Sequence, residues 1–476
     1  MKTLTIRYKD PRKLKPRLNP RTHTPRQIKQ IAASITEFGF INPILIDGAD
    51  EIVAGHARVI AASSLGMTDV PTVRVDHLSP VQIRAYVIAD NRLAENAGWD
   101  RELLALELQE LSVQPNFDVN VTGFETAEID LLVSETSDKE SDEADVIPEI
   151  DRSTPAVTRP GDCWQIGDHF LLCGDALKAE SYVQLLAGKR AQMVFTDPPY
   201  NVRIARNVSG LGKAQHREFA MASGEMTQRE FTAFLRQAFT HLVEFSTDGS
   251  IHFVCMDWRH MREMADAAED AYSELKNICV WSKTNAGMGS LYRSAHEFVF
   301  VYKNGRAKHI NNVELGRFGR SRTNVWEYAG MSSFGKDRET SLAGHPTPKP
   351  LALVSDAILD CSKRGSIILD AFAGSGTTLL AAEKTGRRGY GIELDPHYAD
   401  LIIRRFAEVY SLRAIHADSN LDFEQVRARQ TERNKNGQTG KTRAGKTNIR
   451  GNKTDRKTGL RSSTTGPRKK TNPEQR

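Results

Sequence analysis

The chain has 476 residues, 39% hydrophobic and 26% charged, and a formal net charge of +5. Such a balance predicts a folded protein of about three domains at roughly 150 residues each. No apolar run nears the ~18 residues of a membrane span, and the opening MKTLTIRYKDPRKLK lacks an apolar signal core, so no membrane partner and a cytoplasmic location are expected. The five cysteines (Cys163, Cys173, Cys255, Cys279, Cys361) form no CxxC pair. They fit neither a zinc pattern nor a disulfide framework, so no metal site is expected and the thiols should be buried.

The first unit, 1–133, reads as mixed α and β. PRQIKQIAASITEFG (25–39) predicts an amphipathic helix that ends on Gly39. NPILID (42–47) and EIVAG (51–55) flank a Gly-Ala-Asp turn and predict a hairpin. A helix over 56–66, a strand over 70–75 and helices over 79–95 and 100–112 follow. Residues 134–157 are acidic, Ser-rich and without apolar periodicity, and predict a flexible linker.

The second unit, 158–425, alternates strands and helices. Strands are expected at 190–197, 249–255, 297–303, 365–370 and 388–395. Helices are expected at 227–244, 257–272, 349–363, 377–385 and 397–410. That alternation predicts a mostly parallel sheet covered on both faces, with ligands at the carboxyl ends of its strands. Residues 426–476 contain 16 Lys or Arg and 3 Asp or Glu, which leaves the remainder at −8. They have little to bury and predict a basic disordered tail that attracts polyanions, nucleic acid first.

Two stretches carry chemistry. In VFTDPPY (194–200) a strand stops on Asp197-Pro198-Pro199-Tyr200, because neither proline has an N–H to donate. A base amine whose lone pair is delocalised can be drawn towards tetrahedral geometry by two acceptors. Asp197 supplies one from its side chain and Pro198 another from its carbonyl, while Tyr200 offers a flat face for an extruded base. The second stretch, SIILDAFAGSGTTLLAAEKTGRRGYGIELD (366–395), reads strand, glycine turn, helix, strand. Gly374 and Gly376 allow a tight turn and close approach of a ligand. Glu393 ends the following strand, where a carboxylate can accept from ribose hydroxyls. The loop lacks the Lys of a triphosphate site, and Leu379 stands where a dinucleotide fold has its third Gly.

DPPY together with AFAGSGTT and GIELD resembles the amino-methylating DNA methyltransferases, with the catalytic motif ahead of the cofactor motif as in their β class. LLCGDAL (171–177), WSKTNAGMGSLYRSAHEFVFVYKNG (281–305) and HPTPKP (345–350) match as well, so the likeness spans nearly all of 158–425. It implies a Rossmann-like α/β domain that uses S-adenosyl-L-methionine, with Asp197, Pro198, Pro199 and Tyr200 at the catalytic centre. It implies that Asp370, Phe372, Gly374 and Gly376 line the cofactor and that Glu393 holds its ribose. Asp175 is implied near its adenine, and Thr347, Lys349 and Thr377 near its amino-acid end. Residues 306–344 sit where this class carries its target-recognition region.

The first unit, over roughly 10–95, resembles the N-terminal domain of the ParB partition family. Gly55-His56-Ala57-Arg58 stands where that family has a Gly-Glu-Arg-Arg-like phosphate contact, and the first Arg is missing. Arg58 is left as the phosphate candidate. The pairing of a smaller α+β ParB-like domain with a methyltransferase resembles phage and prophage modification enzymes. The expected activity is methylation of the exocyclic amine of adenine in double-stranded DNA. Two alternatives stand beside it: the cytosine amine, and a DNA-binding ParB-like regulator with a lapsed methyltransferase domain. A homodimer is left open. Methylation at cytosine carbon 5 is set aside because no cysteine follows a proline, and glutamine methylation because the motif begins with Asp197.

Overall fold

The computed structural model describes residues 4–112, 114, 117–135, 143–148, 150, 152–201, 225–283, 291–313, 316, 320–328 and 349–432. The chain divides into two units, Met1–Glu424 and Gln425–Arg476. Of the second, 425–432 is described and helical. The disorder expected from 426 does not hold over 426–432, where the Ala, Arg, Gln and Glu of VRARQTE favour helix. The rest of the tail, 433–476, lies outside the described residues.

The N-terminal part follows the predicted order. Four strands, β1 (Ile6–Lys9), β2 (Ile44–Ile46), β3 (Ile52–Ala54) and β4 (Val70–Arg74), form a sheet in the order β1-β4-β2-β3. β1 was not anticipated; it is a short edge strand, and its side chains are largely exposed. Helix α1 (Pro25–Phe38) starts because Thr24 accepts from the Gln27 N–H and Pro25 pre-sets the first turn; it stops at Gly39, whose φ is +79°. Helices α2 (His56–Ser64) and α3 (Pro80–Glu95) complete this layer. Helices α4 (Arg101–Ser112) and α5 (Thr126–Glu135) then build a core of their own from Ala105, Leu108, Val119, Ile129 and Leu132. With one apolar cluster around Ile44 and Ile46 and another around Val53, Val75 and Ile83, the described part of the span read as one unit holds three small cores.

The larger part is a ten-stranded sheet. Its strands are β5 (Cys163–Ile166), β6 (His169–Cys173), β7 (Ala191–Thr196), β8 (Ser246–Met256), β9 (Glu274–Ser282), β10 (His296–Lys303), β11 (Val325–Glu327), β12 (Ile367–Asp370), β13 (Arg388–Glu393) and β14 (Ala414–His416). The order is β11-β9-β10-β8-β7-β12-β13-β6-β5-β14. The run β8-β7-β12-β13-β6 is parallel throughout. Antiparallel pairs extend it at both sides: β10 with β8 and β9, and β5 with β6 and β14. Around it pack α6 (Ala179–Leu186), α7 (Gln228–Glu244), α8 (Met261–Ala268), α9 (Leu351–Cys361), α10 (Thr377–Lys384) and α11 (Pro396–Tyr410). None of the described helices is long and apolar enough to cross a membrane.

Two features hold the cofactor-type motif together. A Cβ on Gly389 would lie 2.8 Å from Leu379 Cα, and one on Gly391 would lie 2.8 Å from Leu379 Cδ1. The close approach of helix to sheet is therefore supplied by glycines on β13, which is why Leu379 can stand where other folds need a third Gly in the turn. On the far side, Asp400 of α11 accepts from the Val157 and Thr158 N–H groups at 2.7 and 2.9 Å.

The 134–157 stretch is not free along its described length. Ala144, Ile147 and Val157 are buried, Arg405 donates to the Ala144 carbonyl at 2.5 Å, and Asp145 accepts from the Leu351 N–H at 2.8 Å. A few apolar residues among acids suffice to dock it, a pattern too sparse to show as periodicity. Helix α5 is anchored as well. Asp130 receives both Nη atoms of Arg387, at 3.0 and 2.7 Å, and Arg364 Nε stands 3.1 Å away. Asp130 and Arg387 are fully buried. Removing one partner of a buried pair strands the other charge, at a cost of about 3–5 kcal/mol. Asp130→Ala should accordingly lower the urea midpoint of the full chain, and an unchanged midpoint would show that α5 is held by other contacts.

Candidate active site

β7 and β12 are neighbours, but the chain leaves them in opposite directions across the sheet, β7 towards β8 and β12 towards β13. Their carboxyl ends therefore open a crevice at a topological switch point, where open α/β sheets bind ligands. The crevice is lined by Phe195, Asp197, Lys349, Asp370, Phe372, Gly374, Ser375, Thr377 and Thr378, among others. The two predicted motifs, 170 residues apart in the chain, meet here. Thr196 Oγ1 donates to Asp370 Oδ1 at 2.8 Å, and the same oxygen accepts from the Phe372 N–H at 3.0 Å. That carboxylate ties the end of β7 to the turn after β12. Burial pushes Asp370 up to about 6, against the bonds from Thr378, Thr196 and the Phe372 N–H.

The turn itself is built on its glycines. Gly374 and Gly376 have φ of +52° and +83°, and Gly376 caps the start of α10. The Gly374 N–H donates to Glu393 Oε2 at 2.7 Å, while Glu393 Oε1 takes the Asp395 N–H at 2.8 Å. Burial pushes Glu393 up to about 8 despite these two donors. Phe372 stacks obliquely on Phe234, with ring centroids 5.9 Å apart.

Asp197 follows β7 and lies between two partners. Its Oδ1 accepts from Tyr200 Oη at 2.6 Å, and its Oδ2 takes Lys349 Nζ at 2.5 Å. Pro198 is buried, and the loop is pinned further on, where Asn201 Nδ2 donates to the Met226 carbonyl at 2.8 Å just ahead of α7. Burial raises the Asp197 carboxyl above its ordinary range, and Lys349 opposes this.

The remaining predicted residues divide. Lys349 lines the same crevice as Gly374, yet its ammonium is spent on Asp197 and, at 3.1 Å, on Glu297 Oε2. Like Glu393, Asp175 is absent from the lining. Its Oδ1 closes its own turn by accepting from the Leu177 N–H at 2.9 Å, although the preceding Gly174 bonds the Glu393 carbonyl at 2.9 Å. Thr347 lies outside the described residues, as does much of 306–344. Two arginines of that region are committed inside the protein. Arg320 and Arg322 pair with Asp356 and Asp360 of α9 at 2.7 to 3.2 Å. In the N-terminal part, Arg58 of α2 reaches the Pro43 carbonyl at 3.5 Å. Glu297 and Lys283, which join at the Asp197 cluster, were quoted in the sequence without a role; only the pairing of β9 with β10 brings them there.

The geometry is that of a parallel α/β enzyme that places a nucleoside-type cofactor beside an acidic, aromatic acceptor site. Comparison with known proteins gives this the same address. Residues 191–404 match the DNA methylase family, 3–91 the ParB N-terminal domain, and 102–160 the ParB-methyltransferase HTH domain. A ParB-like nuclease domain-containing protein, YnaK of Escherichia coli (strain K12), is 44% identical over 80 residues, which are 17% of this chain and 92% of YnaK. The type II methyltransferase M.HpaI of Haemophilus parainfluenzae is 23% identical over 252 residues, half of this chain and 74% of M.HpaI. The crystal structure of the M1.HpyAVI–SAM complex covers 50% of this chain and 98% of that one, at 21% identity and a TM-score of 0.37. Residues 191–404 thus form a DNA methylase domain of the N6/N4 type, and the chain carries an N-terminal ParB-like domain. The cofactor of this family is S-adenosyl-L-methionine. The expected fold class, cofactor and pairing of domains are therefore as read from the sequence.

Proposed function

We propose that the protein is a site-specific DNA methyltransferase that modifies the exocyclic amine of adenine in duplex DNA. The observation that carries this reading is the meeting of Asp197 with the Phe372–Gly376 turn in one crevice. The residues present fit the cofactor. Glu393 is a buried carboxylate suited to ribose hydroxyls. Asp370 supplies an acidic wall for a sulfonium. Lys349 is the one cation among the described lining residues, suited to a carboxylate. Bound there, S-adenosylmethionine supplies a methyl group whose bond to sulfur breaks as the bond to nitrogen forms.

The chain's own residues prepare the nitrogen. The Asp197 carboxylate and the Pro198 carbonyl accept the two amine hydrogens, which localises the lone pair. Tyr200 holds the Asp197 side chain in place through its 2.6 Å bond and gives the base a ring to lie against. After transfer the nitrogen sheds one proton, which Asp197 can take and release to solvent. Both adenine and cytosine present such an amine. Acceptor chemistry alone does not choose between them; the preference for adenine rests on the resemblance of a motif headed by Asp197, which in enzymes that modify the cytosine amine more often begins with Ser. Mass spectrometry of nucleosides from DNA of an expressing host should show N6-methyladenine; N4-methylcytosine without it would reverse the assignment.

A pH dependence follows from Glu393. Its pKa of about 8 leaves it mostly protonated at neutral pH in the free protein. To accept hydroxyls with both oxygens it must ionise, so binding releases a proton below that pH. Cofactor affinity should rise with pH, by up to about tenfold per unit, and level off above about 8. Calorimetry in buffers of different ionisation enthalpy would show the proton release; a pH-independent dissociation constant would remove Glu393 from the ribose. Asp197→Ala, by contrast, should keep cofactor affinity and lose roughly two to three orders of magnitude in turnover, by analogy with removal of an oxyanion-hole donor. Wild-type turnover in that variant would contradict the role given to Asp197.

A further inference from the structure

Both oxygens of Asp197 are already engaged, one by Tyr200 and one by Lys349. An acceptor for the target amine cannot stay locked in a private ion pair. The surroundings of Lys349 supply the remedy. Its ammonium, with a side chain only 5% exposed, also lies 3.1 Å from Glu297 Oε2. The other Glu297 oxygen receives Lys283. Tyr200 Oη stands 3.2 Å from Lys349 and 3.3 Å from Glu297. Two carboxylates and two ammonium groups thus cancel in a largely buried cluster. Glu297 is the second residue of β10, Lys283 directly follows β9, and Lys349 stands two residues ahead of α9.

We propose that Glu297 is a positioning residue for Asp197, holding Lys349 while Lys283 balances its charge, so that Asp197 is released to accept the target amine. This rests on the reading of Asp197 given above. The physical reasoning is a matter of alternatives. When Asp197 turns to the amine, Lys349 must not be left buried without a counter-charge, which would be costly. Glu297 gives it a second carboxylate within reach. Lys283 in turn keeps Glu297 from placing an uncompensated negative charge beside Asp197. Burial works to raise the Glu297 carboxyl, but Lys349 and Lys283 bring it down to about 2, so it stays charged wherever the enzyme works. The other titratable groups facing Asp197 are Tyr200 in its own loop, Cys255 of β8 and Asp370 at the end of β12.

The pH profile of kcat separates this role from a merely structural one, because its acid limb reports the essential base in the enzyme–substrate complex. Glu297→Gln leaves Lys349 to Asp197 alone and removes a nearby anion. Turnover should fall about tenfold or more, the rate equivalent of one charge-assisted hydrogen bond, and the acid limb should move to lower pH. Lys349→Met removes the cation and should move the limb to higher pH. Lys283→Met leaves Glu297 unbalanced and should also move it to higher pH. Melting temperature and circular dichroism establish that each variant is folded. Lys283, with 24% of its side chain exposed, decides the matter if Glu297→Gln does not fold. Displacements of opposite sign support the proposal. Limbs that stay with the wild type, or move the same way in Glu297→Gln and Lys349→Met, overturn it. If Asp197→Ala is inactive while the limbs stay, only the positioning role fails; if Asp197→Ala turns over like wild type, the reading beneath it fails.

Discussion

At the carboxyl ends of β7 and β12 the chain departs to opposite sides, and the gap this leaves is bridged by one buried bond, Thr196 Oγ1 to Asp370 Oδ1 at 2.8 Å. Everything chemical in the molecule is arranged around that bridge. On one side the strand runs straight into Asp197, and two prolines stop it from continuing into a ladder. On the other, Asp370 turns the chain through Phe372 and Gly374 into α10. Because β7 and β12 are parallel neighbours in the middle of the sheet, both ends are fixed by packing on either face. The Asp197–Tyr200 loop and the Phe372–Gly376 turn thereby share a rigid frame.

Charge is the second constraint. In the proposed function the crevice accepts a cationic cofactor and a neutral base, yet it is built from buried ionisable groups. The cluster meets this by cancellation: Asp197 and Glu297 against Lys349 and Lys283. Burial opposes the charge on Lys349, and the two carboxylates more than restore it, holding its pKa above the ordinary lysine value. A similar economy operates behind the site. Arg320 and Arg322 face Asp356 and Asp360, and Arg387 faces Asp130. Ion pairs of this kind add little net stability, but they fix which surfaces meet. The Asp130 pair fixes helix α5 on the catalytic domain.

How much of this was legible in the sequence follows from how far apart the cooperating residues lie. Asp197-Pro198-Pro199-Tyr200 and the Phe372–Gly376 turn are written contiguously, so their place at strand ends could be read from composition and order. Glu393 was legible too, because strand, turn, helix and strand have fixed lengths and place it opposite Gly374. Glu297 and Lys283 were not, since only the antiparallel pairing of β9 and β10 sets them side by side. Arg320 and Arg322 fall in the stretch read as the target-recognition region, yet they face α9, because an Arg-rich stretch looks the same whether it meets phosphates or aspartates. The 134–157 stretch was misread because three buried apolar residues, Ala144, Ile147 and Val157, are outnumbered by acids.

The central claim is that one crevice between β7 and β12 serves both cofactor and target. The crystal structure of the full chain with S-adenosylhomocysteine tests it most directly. The account predicts the ribose hydroxyls on Glu393 and the thioether sulfur facing Asp197 across the crevice. A ribose held by another carboxylate, or a sulfur directed away from Asp197, would contradict it.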